Sequence, residues 1–238
     1  MFITYPDIVI LAGGLGTRLQ NEVKNLPKAM APINGKPFLE YLLNYIEKSG
    51  FKRIILSTGY LSSYIQEYFG SGYKNLLIEY IVEDEPLGTG GAIKLASTKV
   101  QSPHFIVMNG DTFFPINLQN FFQFHVETLA DVSMALRKVD DASRYGEVEC
   151  DSSGRVVRFN EKSKHVQPGL INGGTYIIST RYFKKLNLPA KFSFETNFLQ
   201  TDLSIGYFLG QEFDDYFLDI GVPEDYKRAQ IEFNAFKD

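Results

Sequence analysis

Gly13, Gly14 and Gly16 follow the apolar run Ile8-Val9-Ile10-Leu11 within the segment Leu11–Arg18. A short apolar run bounded by glycine reads as a buried strand. The glycines let the turn after it come close to a ligand, because no Cβ stands in the way. Successive backbone N–H groups in such a turn make a nest for anions. Thr17 adds a hydroxyl donor and Arg18 a permanently charged guanidinium matched to phosphate oxygens. Lys28, in Pro27-Lys28, is a second cation on the same segment. The pattern reads as a triphosphate grip built from Leu11, Ala12, Gly13, Gly14, Gly16 and Thr17, with Arg18 and Lys28 as its charges. Neither common glycine motif fits. A Walker A loop needs a lysine that this loop lacks, and Gly14-Leu15-Gly16-Thr17-Arg18-Leu19 ends in leucine where a dinucleotide fingerprint has glycine.

Two carboxylates suggest a metal. Asp111 follows Phe105-Ile106-Val107-Met108-Asn109-Gly110, and Asp219 follows Tyr216-Phe217-Leu218 and precedes Ile220-Gly221-Val222-Pro223. Strands thus deliver both acids to an edge. Such a pair suits Mg²⁺, a hard ion that takes few carboxylates and fills its sphere with phosphate oxygens and water.

The elements that must position these residues alternate in the first half. Strand-like runs lie at 8–11, 53–57, 77–82 and 105–108, with helical patterns at 38–48, 61–68 and 91–96. Phe38, Leu39, Leu42, Leu43 and Ile46 keep helical spacing, and Gly50 follows as a stop. This rhythm predicts an α/β fold, a mostly parallel sheet flanked by helices, with ligands at the carboxyl ends of its strands. The glycine loop and the Gly110-Asp111 turn therefore belong on one edge. After about residue 115 the rhythm changes to strands at 132–136, 146–149, 156–159, 176–178 and 207–209, with a hairpin turn at 151–154 and helices near 182–187, 194–201 and 224–236. No linker, repeat or low-complexity tract interrupts the chain. Residues 1–238 are expected to form a single domain, with a nucleotide-binding half over 1–115 and a substrate-facing half over 116–238.

The 238 residues carry a net charge of −4, with a pI near 5.5. That leaves no basic footprint for nucleic acid or for an anionic membrane. Cys150 is the only cysteine, which excludes an intrachain disulfide and fits a reducing compartment. The first apolar run is too short for a signal peptide or a membrane span, so a cytoplasmic location is expected. His104, His125 and Cys150 fall on structural elements and are not expected to act as nucleophiles.

Leu11–Leu19 followed by Pro27-Lys28-Ala29-Met30-Ala31-Pro32-Ile33-Asn34-Gly35-Lys36-Pro37 resembles the signature of the sugar-1-phosphate nucleotidyltransferases. The family's usual proline and threonine between the arginine and the Pro-Lys are missing here. Asn109-Gly110-Asp111 and the run Asp219–Tyr226 resemble its two metal-binding motifs, with Val222 where threonine is usual. The resemblance implies a Rossmann-like, GT-A-like mixed sheet and transfer of a nucleotidyl group to a sugar 1-phosphate, with Asp111 and Asp219 holding Mg²⁺.

Glu83–Ala92 resembles the stretch with which the family holds the base, and implies roles for Glu83, Gly88 and Thr89. A carboxylate only accepts hydrogen bonds, so it suits the adjacent N1–H and N2–H₂ donors of guanine better than a pyrimidine edge. GTP is therefore the expected nucleotide, with Glu83 and Glu85 both available to read it. Tyr145-Gly146-Glu147-Val148, Asn160-Glu161-Lys162, Ile171–Tyr176 and Phe192-Ser193-Phe194-Glu195 resemble sugar-binding elements. They imply that Gly146, Glu161, Asn172, Gly173 and Glu195 meet the sugar while Lys162 holds its phosphate; Ser163 replaces the usual proline after that lysine. Within the family the resemblance is nearest to members that use a heptose 1-phosphate, giving a GDP-heptose for bacterial surface polysaccharide. Mannose 1-phosphate with GTP and an amino-sugar 1-phosphate with UTP are the other substrate pairs. A non-catalytic nucleotide-sugar sensor is the reading from another class, and a homodimer is compatible with all of them.

Overall fold

The computed structural model describes residues 5–14, 19, 23, 25–160, 166–201, 203 and 205–236. β1 (Asp7–Leu11) leads into the glycine loop, and a small ribbon of β2 (Pro32–Ile33) and β3 (Lys36–Pro37) precedes α1 (Phe38–Lys48). β4 (Arg53–Thr58), α2 (Ser62–Phe69), β5 (Gly72–Tyr73), β6 (Leu76–Val82), α3 (Gly88–Ser97) and β7 (His104–Asn109) complete the alternating half. Strands β7, β1, β4 and β6 lie side by side and parallel, and β5 closes the edge.

Apolar runs with no polar side have to be covered on both faces. Ile8 and Ile10 face the layer containing α1, whereas Val9 faces the layer containing α3. Ile54, Leu56, Ile106 and Met108 join the first layer, and Ile55, Phe105 and Val107 the second. The period of two in each strand thus sorts one hydrophobic sequence into two cores.

The second half continues the same sheet. It contains β8 (Thr112–Phe113), α4 (Leu118–Thr128), β9 (Val132–Val139), β10 (Glu147–Cys150), β11 (Val156–Asn160) and β12 (Gly169–Ser179). It ends with α5 (Thr180–Lys185), a π-helical turn over Glu195–Leu199, β13 (Phe208–Phe213), β14 (Leu218–Asp219) and α6 (Pro223–Glu232). β12 is the hinge strand of the architecture. Thr175–Ser179 pair antiparallel with β7, while Ile171 reaches β10. Its other edge carries β9, with a register break between Asn172 and Tyr176, and β13 adds to β9 in parallel. The result is a mixed, mostly parallel sheet in its nucleotide-side half, flanked by helices.

The hairpin expected over 146–159 is present as β10 and β11. Three features differ from the sequence expectation. α4 occupies 118–128, where no helix was expected, with Leu118, Phe121, Phe122 and His125 as its buried face. α3 begins at Gly88, three residues before Gly91. The segment near 194–201 is π-helical over Glu195–Leu199. No helix among the described residues is long and apolar enough to cross a membrane.

Candidate active site

The carboxyl ends of the parallel strands open onto two adjoining cavities of about 650 and 810 Å³. Thr89 and Asn109 line both, so the cavities share a wall. Leu11, Gly13 and Gly14 face the first cavity, opposite Glu83, Glu85, Gly88 and Thr89. Gly146, Asn172, Glu195 and Asp219 face the second. Asp111 lies on the wall of the first.

The glycine loop is pinned at its base. The Ala12 N–H donates to the Ser57 carbonyl at 2.8 Å and the Gly110 N–H to the Leu11 carbonyl at 3.0 Å, so the loop and the Asp111 turn do share one edge. Ala12 itself is buried in the core. A Cβ at Gly13 would stand 2.8 Å from Glu83 Oε1 and 3.2 Å from the Gly59 nitrogen, so a side chain there would displace the carboxylate. Gly16, Thr17 and Arg18 lie outside the described residues.

Glu83 is fixed by its surroundings. Its N–H donates to the Thr58 carbonyl at 2.8 Å, Oε2 accepts the Leu87 N–H at 3.1 Å, and Oε1 accepts the Ser57 hydroxyl at 3.3 Å. Each carboxylate oxygen keeps a further lone pair for a ligand. Glu85 is exposed on the same loop. Of the two acids, Glu83 is therefore the oriented one.

Asp111 and Asp219 are brought together by the smallest strands. β8 and β14 pair antiparallel, Leu218 opposite Phe113 and Asp219 opposite Thr112, and the Ile220 N–H donates to the Asp111 carbonyl at 3.0 Å. Lys28, on a 3₁₀ turn anchored by buried Ala29 and Met30, reaches between them. Its Nζ is 2.5 Å from Asp111 Oδ2 and 3.6 Å from Asp219 Oδ1. Burial and the neighbouring Asp111 charge push the Asp219 carboxyl up to about 6, although Lys28 and the Gly221 N–H oppose them. This mutual repulsion leaves room for positive charge. Among the described residues no third acid, histidine or cysteine completes a protein cage. Two hard oxygen donors without such a cage fit an ion such as Mg²⁺, which keeps waters and takes phosphate oxygens.

On the second cavity, the Asn172 N–H donates to the Gly146 carbonyl at 2.9 Å, which joins two of the expected sugar-side residues. Asn172 spends part of its amide internally, because Oδ1 accepts the Gly174 N–H at 3.0 Å and Nδ2 donates to the Tyr176 hydroxyl. One amide hydrogen and one lone pair remain. Gly173 lies behind the wall, packed so that a Cβ would meet the Phe114 ring at 2.5 Å, and Gly174 lines the cavity instead. Glu195 Oε2 accepts the Thr89 hydroxyl at 2.6 Å and the Ser193 hydroxyl at 3.0 Å. The nucleotide-side and sugar-side expectations therefore meet in one hydrogen bond. Glu161 and Lys162 lie outside the described residues.

The sequence pattern does not single out Arg144. It lines the second cavity and pairs with Asp225, a buried acid in the first turn of α6 that Arg228 also holds at 3.2 Å. A buried carboxylate with two guanidinium partners fixes the Arg144 fork while leaving it 46% exposed. It offers bidentate donors to an anion. The only local signal was its place before the Tyr145-Gly146 motif, and its partner is 81 residues away.

Parallel strands ending in a glycine loop, an acid pair bridged by lysine, and two cavities sharing a wall suit the joining of two phosphorylated substrates. The nucleotidyl transferase family profile matches residues 7–235, and the chain belongs to that family. It is 45% identical, over 97% of its own length and 99% of the relative's, to the D-glycero-alpha-D-manno-heptose 1-phosphate guanylyltransferase of Aneurinibacillus thermoaerophilus. The Campylobacter jejuni protein of the same name is also 45% identical, over 92% of this chain and 96% of that one. Among solved structures, HddC from Yersinia pseudotuberculosis aligns with a TM-score of 0.87 and 41% identity, covering 96% of this chain and 100% of the other. HddC complexed with GMP-PN aligns with a TM-score of 0.86 over the same extents.

Proposed function

We propose that the chain is a D-glycero-α-D-manno-heptose 1-phosphate guanylyltransferase, which joins GMP from GTP to the sugar phosphate and releases pyrophosphate. The observation that carries this reading is the pair of cavities meeting at Thr89 and Asn109 beside Lys28, Asp111 and Asp219. Near-full-length identity to guanylyltransferases of that specificity supports the choice of base and sugar.

The glycine loop cradles the triphosphate, and Glu83 accepts hydrogen bonds from the guanine edge. Glu195, Asn172 and the Gly146 backbone meet the sugar. An oxygen of the sugar phosphate attacks the α-phosphorus of GTP. As that bond forms, the bond to the bridging oxygen breaks and pyrophosphate leaves with the electron pair. The attacking oxygen is already ionised, so no protein base is required, and catalysis is positioning and charge neutralisation. Lys28 draws negative charge toward the reacting centre, Arg18 stabilises the leaving pyrophosphate and Lys162 holds the attacking phosphate. Bound at Asp111 and Asp219, Mg²⁺ would supply positive charge shared among phosphate oxygens. The reading carries with it a cytoplasmic location and a product destined for surface polysaccharide.

The test is pyrophosphate release from GTP, UTP, dTTP, CTP and ATP, each against heptose, mannose, glucose and N-acetylhexosamine 1-phosphates. Release with GTP and the heptose phosphate, lost with EDTA and restored by excess Mg²⁺, is expected. Asp111→Ala should abolish it without unfolding the chain. A protein that binds GDP-heptose but never releases pyrophosphate would instead be a sensor.

A further inference from the structure

We propose that Tyr60 is the base-stacking residue of the nucleotide cavity, its ring covering the flat face of the guanine whose edge Glu83 reads. This deepens the assignment of that cavity to GTP and rests on it.

The first cavity offers edges to a base but few faces. Its lining near Glu83 is mostly glycine and acid, with Leu11, Pro86 and Ala92 as its aliphatic side chains. Tyr60 supplies the one aromatic ring among its described lining residues. That ring is 51% exposed at the cavity mouth. Tyr68 and Tyr80, by contrast, have structural work. The Tyr68 hydroxyl donates to Glu40 at 2.9 Å, and that of Tyr80 donates to the Gly70 carbonyl at 2.7 Å. The Tyr60 hydroxyl has no protein partner among the described residues. A bare base face in water gains by stacking on an aromatic ring, and every base has such a face.

The backbone holds Tyr60 beside the loop. Gly59 packs so closely on Gly13 that a Cβ there would stand 3.3 Å from the Gly13 carbonyl oxygen. Its own carbonyl accepts the Ser62 N–H at 3.1 Å, starting α2 directly after the turn. Leu61 then adopts the left-handed region at φ 56°, ψ 35°. A branched side chain is strained there, and strain of this kind persists where the surroundings require one backbone path. Here that path presents Tyr60 at the cavity rim while Leu61 turns the chain into the helix. Glu83 and Tyr60 then divide the recognition. The carboxylate distinguishes guanine by its donors, and the ring contributes affinity that is indifferent to base identity.

The experiment compares the full-length protein with Tyr60→Ala, Tyr60→Phe and Tyr60→Trp in steady-state pyrophosphate release. Loss of a stacked base should raise the KM for GTP by roughly 5- to 150-fold in Tyr60→Ala. The KM for heptose 1-phosphate should not move, and Tyr60→Phe should restore the value for GTP. The chain contains no tryptophan, so Tyr60→Trp creates a single indole reporter. GTP added without sugar phosphate should quench its fluorescence, saturating at concentrations near the KM. An unchanged KM for GTP in Tyr60→Ala, or an active Tyr60→Trp enzyme whose fluorescence ignores GTP, overturns the stacking role alone. A wild-type chain that releases no pyrophosphate from GTP overturns the nucleotide assignment and the stacking role with it.

Discussion

Glu83 holds the Ser57 hydroxyl and the Leu87 N–H while facing the cavity, so one carboxylate builds the loop and carries the proposed reading of the base. Glu83→Gln separates them. The amide keeps the shape and can still accept at one oxygen, but it turns N–H donors toward guanine's own donors. Hydrogen bonds to a charged group are worth about 1.5–3 kcal/mol, so kcat/KM for GTP should fall roughly 10- to 150-fold. Use of UTP should fall less, because a pyrimidine edge offers carbonyls to the new donors. An unaltered ratio of GTP to UTP turnover would return Glu83 to loop building. Arg144 poses a matching question in the second cavity. Arg144→Ala removes a charge-assisted donor there, and we expect the KM for sugar 1-phosphate to rise about tenfold or more. Arg228 still holds Asp225 in that variant. A change confined to the KM for GTP would remove Arg144 from the sugar-phosphate side.

Elements decide which of these residues meet, and β12 is the one on which both cavities depend. Its register breaks after Asn172, where Gly174 takes φ +71° and a Cβ would stand 2.7 Å from Asn109 Nδ2. Left-handed backbone at a non-glycine residue costs about 1–3 kcal/mol before any clash is counted. Gly174→Ala should therefore lower the urea midpoint by at least that much stability and reduce turnover, because Asn109 lines both cavities. An equally stable variant would show that the bulge does not need glycine. Local pattern made some elements legible. α1 runs Phe38–Lys48 as expected, because its apolar spacing is regular and Gly50 stops it. α4 is not marked by composition although Leu118, Phe121, Phe122 and His125 keep helical spacing, because its Asn, Gln and Phe content resembles a loop beside a strand. β8 and β14 are two residues each and exist only through pairing across the chain. The acid pair was legible from the apolar runs that precede each member, whereas the Lys28 bridge, the Thr89–Glu195 bond and the Arg144–Asp225 pair were not. Those are meetings between distant segments, and spacing along a chain carries no record of them.

Across the whole molecule, the cavities occupy one end of the parallel strands, and a histidine pair, half-buried His104 with buried His125, the other. β7 begins at His104 and ends at Asn109, about 16 Å apart at strand rise. His125 on α4 is fully buried, with Nε2 3.0 Å from His104 Nδ1 and Nδ1 2.8 Å from Ser133 Oγ. Burial, with the His104 charge, pushes the His125 imidazole down to about 3, and burial also lowers His104. Below its ordinary value near 6.5, the unfolded chain therefore binds a proton that the folded chain refuses. Stability is full above that pH and is lost as pH falls from about 6.5 toward 3, by up to about 1.4 kcal/mol per unit for one such group. Between pH 7.5 and 5.5, His125 should cost the native state about 1.4 kcal/mol, and His104 adds in the same direction. Urea unfolding at the two values tests this, with His125→Gln as the comparison. The amide can both donate and accept but does not titrate, so the variant should be less stable at pH 7.5 yet lose less on acidification. An equal loss in both proteins would place the acid sensitivity elsewhere. Because the pair sits at the far end of the sheet from Asp111 and Asp219, a loss of stability at pH 5.5 can occur in chains whose folded fraction still turns over. Activity normalised to folded protein would separate the two.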